Sequence, residues 1–188
     1  MNRRALMIGL HWITVLLVTV SFATAWGRAW IDDLDSRAFW LDFHRLIGLA
    51  ILAATVVRLL IRSVEGPASS REQLHFLEWI ASRTNHLLIY ALLVAMPLIG
   101  WAQSSAHARH FAIFGVRMPS FVGHDRDFAE TLGWWHEQIA WLLLGAILLH
   151  ALGALYHHYV RRDDVVRNML PRARTRAPVE VERYDIAA

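Results

Sequence analysis

Four histidines are the residues of this sequence whose type and spacing point most directly to chemistry. They are His11, His44, His136 and His150. His136 and His150 stand 14 residues apart. A helix that rises about 1.5 Å per residue would separate them by about 21 Å while keeping both on one face. Because a neutral imidazole is a common metal ligand, one helix would then present a ligand at two levels.

The elements that must position these histidines are four apolar stretches. Of the 188 residues, 56% are hydrophobic and 19% charged, whereas a soluble domain has about 45–50% apolar and about 25% charged residues. A helix that crosses a bilayer needs about 20 residues, and four stretches meet this length: 5–26, 39–61, 84–106 and about 134–160. We therefore predict an all-α membrane protein, a four-transmembrane-helix bundle over residues 1–160, with a polar, Arg-rich cytosolic tail over residues 161–188.

The placement of arginine predicts the orientation of this bundle. All nineteen basic residues are arginine, and most lie before the first stretch, between the second and third, and in the tail. By the positive-inside rule, both termini then lie in the cytosol and the connection 103–133 lies outside. The net charge of +3 is too small to indicate nucleic acid, so we expect membrane lipid and no nucleic acid around the chain.

The first apolar stretch has a second interpretation. Arg3 and Arg4, the apolar run and the small residues at 23–25 imitate the three regions of a signal peptide. The run is longer than a typical signal core and carries His11, so we predict that it is retained as a span.

Depth in the membrane sorts the histidines into two pairs. His44 and His136 fall near the outer ends of their spans, whereas His11 and His150 fall near the cytosolic ends. Ionisable residues at membrane depth are costly and are functional candidates by default. His157 lies seven residues beyond His150 on nearly the same face, so depth alone leaves it open as the partner of His11.

Two stacked imidazole pairs suit haem b, whose iron is saturated by two axial histidines. The chain has no cysteine, which excludes disulfides, iron–sulfur clusters and the covalent attachment of c-type haem. A zinc site would need three or four ligands close together, which pairs about 21 Å apart along a helix do not supply. We therefore predict that the bundle encloses two b-type haems, with Arg45 and Arg58 as candidate partners of the propionates.

Several short segments stand in a characteristic order along residues 5–171. They are His11-Trp12, His44-Arg45-Leu46-Ile47-Gly48, Val56-Val57-Arg58-Leu59-Leu60, His86-Leu87-Leu88-Ile89-Tyr90, Met96-Pro97-Leu98-Ile99-Gly100, Trp135-His136-Glu137, His157-His158-Tyr159 and Met169-Leu170-Pro171. In this combination the chain resembles the bacterial cytochrome b561 family, whose fold is related to the cytochrome b subunits of hydrogenases and formate dehydrogenases. The resemblance implies four helices, two b haems, quinone-linked electron transfer, and His11, His44, His136 and His150 as axial ligands. The choice of His150 over His157 comes from the resemblance.

The segment Phe114-Gly115-Val116-Arg117-Met118-Pro119 is closest to the superoxide oxidase-like branch of that family. This likeness implies superoxide as the donor and ubiquinone as the acceptor. The connection 103–133 carries three arginines against three acidic residues, whereas an anionic donor gains from a positive potential. The donor therefore stays open between superoxide and another small molecule or protein at the periplasmic side.

The resulting prediction is an oxidoreductase of the bacterial inner membrane that passes electrons from a periplasmic-side donor to ubiquinone. Quinone reduction consumes protons, and histidine titrates near neutrality, so His157 and His158 are the first candidates for proton uptake at the quinone site. His86 and Arg83 are the next, with an interhelical hydrogen bond as the other interpretation of His86. Two alternatives remain: a cytochrome b anchor subunit that serves a periplasmic redox partner, and a haem-free proton or metal transporter.

Overall fold

The computed structural model describes residues 3–65, 76–108, 112–113 and 116–170, and four long helices make up most of this part. The helices are α1 (Arg3–Gly27), α2 (Leu34–Glu65), α3 (Phe76–Ala106) and α4 (Arg126–Tyr156). Each contains an apolar stretch long enough to cross a membrane. The predicted all-α bundle of four transmembrane helices is confirmed.

The helices α2, α3 and α4 begin several residues before the apolar stretches that predicted them. Capping explains two of these starts. Asp125 accepts a hydrogen bond from the Phe128 N–H at 2.9 Å at the start of α4, and Asp33 accepts one from the Ser36 N–H at 2.8 Å at the start of α2. The hydrogen bonds from Ser36 also hold the pKa of Asp33 below its usual 3.8. Because capping is local and polar, a window chosen for apolar residues does not reveal these turns.

Helices that are consecutive in the chain pack against each other, and α3 against α4 is the most extensive of these contacts. A narrow core runs along the bundle axis and comprises Val18, Ile47, Ile51, Leu92, Leu93, Leu143 and Ala146. Large apolar side chains such as Leu16 and Leu149 are more than 60% exposed. Such exposure is expected for helices whose outer faces contact lipid.

We call the end of the bundle that holds Arg3, Glu65, Phe76 and Tyr156 the terminal end, and the opposite end the loop end. At the loop end, the connection between α3 and α4 contains a short hairpin with two residues in each strand. Its strand β1 (Ala112–Ile113) pairs antiparallel with β2 (Val116–Arg117). This hairpin was not part of the all-α prediction. The connection is tied to α3, since the Trp101 indole donates to the Pro119 carbonyl and the His124 ring donates to the Ala106 carbonyl.

At the terminal end, the helix α4 passes into a π-helical turn over His157–Arg161, and a 3₁₀ turn follows over Arg167–Met169. The Arg161 guanidinium lies 3.5 Å from the Glu78 carboxylate of α3. The first part of the predicted tail is thus folded against the helices. Residues 171–188 of that tail lie outside the described residues.

Candidate functional site

The structure brings His44 of α2 and His136 of α4 together near the loop end. The centres of their rings are 6.3 Å apart, with an angle of 73° between the ring planes. Both side chains are partly buried between the helices.

A second pair lies nearer the terminal end, where His11 of α1 faces His150 of α4. Their ring centres are also 6.3 Å apart, at an interplanar angle of 67°. The helix α4 therefore supplies one imidazole to each pair, as the spacing of His136 and His150 predicted. His157 is not part of this pair, because its ring Nδ1 donates to the Asp163 carboxylate at 2.6 Å.

The spacing within each pair fits two ligands on opposite sides of one metal. Metal–nitrogen distances are about 2 Å and an imidazole centre lies about 1 Å farther out, so two such rings stand about 6 Å apart. Within the described ranges, no group of three or more His, Cys, Asp or Glu residues could hold a metal ion. Pairs without further protein ligands suit a metal that brings its own equatorial ligands, and haem iron is such a metal.

The His44 ring is oriented by α1. Its Nδ1–H donates to the Ser21 carbonyl at 3.1 Å, and the Thr24 hydroxyl lies 3.2 Å from the same nitrogen. Hydrogen bonding at Nδ1 leaves Nε2 available to a metal, and this is the usual arrangement around metal-bound histidine. Ser21 and Thr24 were missed by the sequence analysis. Two hydroxyl residues on α1 at the depth of His44 could have indicated hydrogen-bond partners for its ring.

The His136 ring packs against the backbone of α3. A Cβ atom at Gly100 would lie 3.1 Å from His136 Cε1. A residue larger than glycine would therefore displace the His136 ring. Pro97 stands one turn earlier in α3 and lacks the N–H that would complete the helical ladder. Gly100 belongs to a segment that carried the family resemblance, but its role depends on packing that the sequence does not reveal.

A third imidazole adjoins the pair at the terminal end. The ring centres of His86 and His150 are 4.9 Å apart, and His86 Nδ1 donates to the Ser82 carbonyl of its own helix at 2.6 Å. The hydrogen bond between α3 and α4 at this level is made by the neighbouring Asn85, whose amide donates to the Ala146 carbonyl at 3.2 Å. An interhelical hydrogen bond was the other interpretation of His86. Its ring Nδ1 instead bonds within α3, and the ring contacts His150 of α4.

The other proton-uptake candidates lie at the terminal end. The guanidinium of Arg83 is 5.7 Å from the centre of the Trp79 ring, and the His158 ring packs against Tyr159. His157 is engaged with Asp163, as described above. Their proposed roles in proton uptake stay predictions.

The two propionate candidates lie in the two halves of α2, 13 residues apart. Arg45, the residue that follows His44, pairs with Asp42 at 2.7 Å. The Arg58 guanidinium lies 5.5 Å from the centre of the Tyr90 ring, and its buried Nε has no hydrogen-bond partner among the described residues. A buried, unsatisfied nitrogen of this kind calls for a polar group that the protein itself does not supply.

At the loop end, three arginines converge on an open cavity of about 690 Å³. Arg28, Arg37 and Arg45 line it, with Asp42 as the acidic group among its lining residues. The charge count over the connection 103–133 did not include these arginines, since they come from α2 and from the turn before it. The lining of this cavity is therefore basic beside His44, whereas Asp32, Asp33 and Asp35 add three acidic charges elsewhere at the loop end.

Comparison with known proteins agrees with these features. A sequence model described as prokaryotic cytochrome b561 matches residues 2–172. "Probable superoxide oxidase CybB" of Yersinia pestis is 32% identical over 173 residues, which cover 90% of this chain and 96% of the relative. Cytochrome b561 homolog 2 of Escherichia coli (strain K12) is 28% identical over 168 residues, covering 85% of this chain and 86% of the relative.

Homolog 1 of the same organism is 27% identical over 168 residues, or 88% of this chain and 94% of the relative. The family match implies haem b as a cofactor, and with four membrane-spanning helices it places the protein in the bacterial inner membrane as a multi-pass protein. On the evidence of a match that covers nearly the whole chain and a relative above 30% identity, this protein belongs to the prokaryotic cytochrome b561 family.

Proposed function

We propose that this membrane cytochrome b passes electrons from a periplasmic donor to ubiquinone at the cytosolic side by way of two haem b groups. The observation that supports this most strongly is the pair of matched histidine sites, each with ring centres 6.3 Å apart. The separation of His136 and His150 along α4 gives the chain one site toward each membrane surface. Positive-inside counting assigns the terminal end to the cytosol.

In this proposal His44 and His136 hold the outer haem, and His11 and His150 hold the inner one. When bound, each haem b would supply one-electron redox chemistry, and the part of the protein would be to hold the group between two histidines. Ser21 keeps the His44 ring in the tautomer whose Nε2 can ligate. Arg45 and Arg58 would neutralise propionates, and the unsatisfied Nε of Arg58 supports that role for it.

Superoxide is the donor that we propose. The cavity lined by Arg28, Arg37 and Arg45 lies at the end of α2 that carries His44, and a basic cleft raises the local concentration of a small anion. The name of the Yersinia pestis relative, a probable superoxide oxidase, points to the same donor class. The arginines would attract the anion to the loop end, beside the histidine pair that receives its electron.

Protons for quinone reduction would enter at the terminal end. His157, His158, His86 and Arg83 are the candidate groups there, and the contact of His86 with His150 places one of them beside the inner pair. These residues could hold or move protons where cytosolic water meets the bundle.

The purified protein with ubiquinone provides the test. Difference spectra should show b-type bands that appear with superoxide and disappear when ubiquinone is added. Bands that superoxide does not produce, but that a copurifying one-to-one partner does, would overturn the donor assignment and indicate an anchor subunit. A preparation with no haem bands would overturn the electron-transfer function and leave the transporter alternative.

A further inference from the structure

Two segments from opposite ends of the chain meet at the terminal end. The Trp12 indole N–H donates to the Met169 carbonyl at 2.8 Å, and the Arg4 guanidinium donates to the Asn168 side chain at 2.6 Å. Trp12 and Met169 both belong to segments that the sequence analysis singled out, and the proposed function uses neither. We call residues 162–170 the C-terminal strap.

The strap begins with a sharp reversal after α4. Arg162 adopts a left-handed conformation with φ 54°, which residues other than glycine rarely do. Asp163 then accepts hydrogen bonds from the His157 ring at 2.6 Å and from the Val165 N–H at 3.1 Å. The strap is therefore attached to α4 at its start and to α1 at its end.

The end of the strap on α1 lies beside a proposed haem ligand. The rings of His11 and Trp12 are in contact, with centres 5.5 Å apart and planes at 74°. Unlike His44, His11 makes no hydrogen bond through its ring to another described residue. Packing must hold this ring in place, and Trp12 is the aromatic neighbour whose own position is fixed by a hydrogen bond.

We infer that Trp12 is a positioning residue for the inner haem, held by the Met169 carbonyl so that the C-terminal strap sets the orientation of His11. The inference rests on the proposed function, since it takes His11 and His150 as the inner haem ligands. Groups around a ligand commonly tune a metal through ligand orientation and solvent access. The strap can thus affect the inner haem from the opposite end of the sequence, without contributing a ligand.

The test is a redox titration of the full-length haem-loaded protein that resolves the two haems. Trp12→Phe keeps an aromatic ring but removes the N–H that Met169 accepts. We expect a change of about two- to threefold in the reduction equilibrium of the inner haem, roughly 20–30 mV at about 59 mV per tenfold for one electron. The reduction potential of the outer haem should not change. The low-spin electron paramagnetic resonance signal of the inner haem should also change, since it reports ligand orientation.

Trp26→Phe is the matched control. Trp26 lies on the same helix at the loop end and packs on Trp141, with no hydrogen bond to its indole among the described residues. This substitution should leave the inner haem unchanged.

Asp163→Ala tests the strap without touching α1. It removes the carboxylate that attaches the strap to His157. The reduction potential of the inner haem should therefore change in the same direction as in Trp12→Phe. In the double variant the two effects should be less than additive, because both act through the same strap.

The outcomes separate this inference from the proposed function. A wild-type protein with a single haem would contradict the proposed function itself. Two haems in the wild type, with an inner haem that neither Trp12→Phe nor Asp163→Ala shifts, would overturn the positioning role alone. Loss of only the inner haem in Trp12→Phe supports the role if Asp163→Ala also shifts that haem, and an unchanged Asp163→Ala protein would then overturn the part played by the strap.

Discussion

His136 and His150 project from one helix, and each faces a histidine of another helix across the same ring distance of 6.3 Å. Their spacing of about 21 Å follows from the helical rise, so α4 acts as a common support for two separate sites. Losing one of these histidines should therefore leave the other pair in place.

We expect His136→Ala and His150→Ala to have separable effects. His136→Ala should slow reduction by superoxide at least about tenfold, since even the groups around metal ligands are worth about 10- to 100-fold. Quinol added from the other side should still reduce this variant. His150→Ala should keep reduction by superoxide but lose delivery to ubiquinone. Stopped-flow spectra of both variants decide this.

His157→Ala is the control for this pair of variants. It should keep both haems, because the His157 ring contacts Asp163 and not His11. A His157→Ala protein that loses a haem while His150→Ala keeps both would show that the ligand lies two turns farther along.

The hydroxyl of Thr24 should tune the outer haem. Thr24→Val removes one acceptor from His44 Nδ1 and lowers the basicity of that ligand, so the outer haem should become easier to reduce. With the Ser21 carbonyl still in place, we expect a shift of about 20 mV, or twofold at roughly 59 mV per tenfold. Thr14→Val is the matched control, because the one hydrogen bond of the Thr14 hydroxyl to a described residue is with the Leu10 carbonyl of its own helix. Equal changes of the outer haem's reduction potential in Thr14→Val and Thr24→Val would contradict this prediction.

Gly100 and Gly48 should respond differently to an added methyl group. Ala in place of Gly gains about 1 kcal/mol of helix propensity, but overpacking costs about 1–3 kcal/mol. At Gly100 the methyl group would lie 3.1 Å from His136, whereas at Gly48 it would lie 3.9 Å from Pro97 in ordinary contact. Gly100→Ala should therefore lower the outer haem content and the melting temperature, and Gly48→Ala should not. Equal behaviour of the two variants would argue against close packing of His136 on α3.

Attachment of the strap should weaken in acid. Partial burial raises the pKa of Asp163, but hydrogen bonds from His157 and the Val165 N–H outweigh this and hold the pKa below the usual 3.8. A depressed carboxyl pKa stabilises the fold above the unfolded value, and this contribution is lost as the pH falls through the folded value. Near pH 7 the wild type should have a higher melting temperature than Asp163→Asn. This difference in melting temperature should shrink below about pH 4. A difference that is constant with pH would contradict a role for the charge.

The heights of the site residues were predictable, but their surroundings were not. Helical rise and span boundaries place His11, His44, His136 and His150 at two depths without any tertiary information. Which helices face each other, and by what rotation, decides that Ser21 meets His44 and that Gly100 meets His136. Rotation depends on packing across helices, which a single sequence does not encode in its periodicity.

The C-terminal strap was hidden for a different reason. Residues 161–170 are polar and short of apolar periodicity, so they were assigned to a tail. Their structure comes from hydrogen bonds to partners far away in the chain, such as Trp12 with Met169 and Arg161 with Glu78. The charge count used for the donor likewise covered the connection 103–133 alone, whereas Arg28, Arg37 and Arg45 combine at one cavity.

The number of haem b groups per chain tests the two separate sites most directly. It is measured by pyridine haemochrome against protein concentration from amino-acid analysis. We expect two haems in the wild type and one in each of His136→Ala and His150→Ala. A wild-type value of one, or a single substitution on α4 that removes both haems, would contradict the two separate histidine sites on which the proposed function rests.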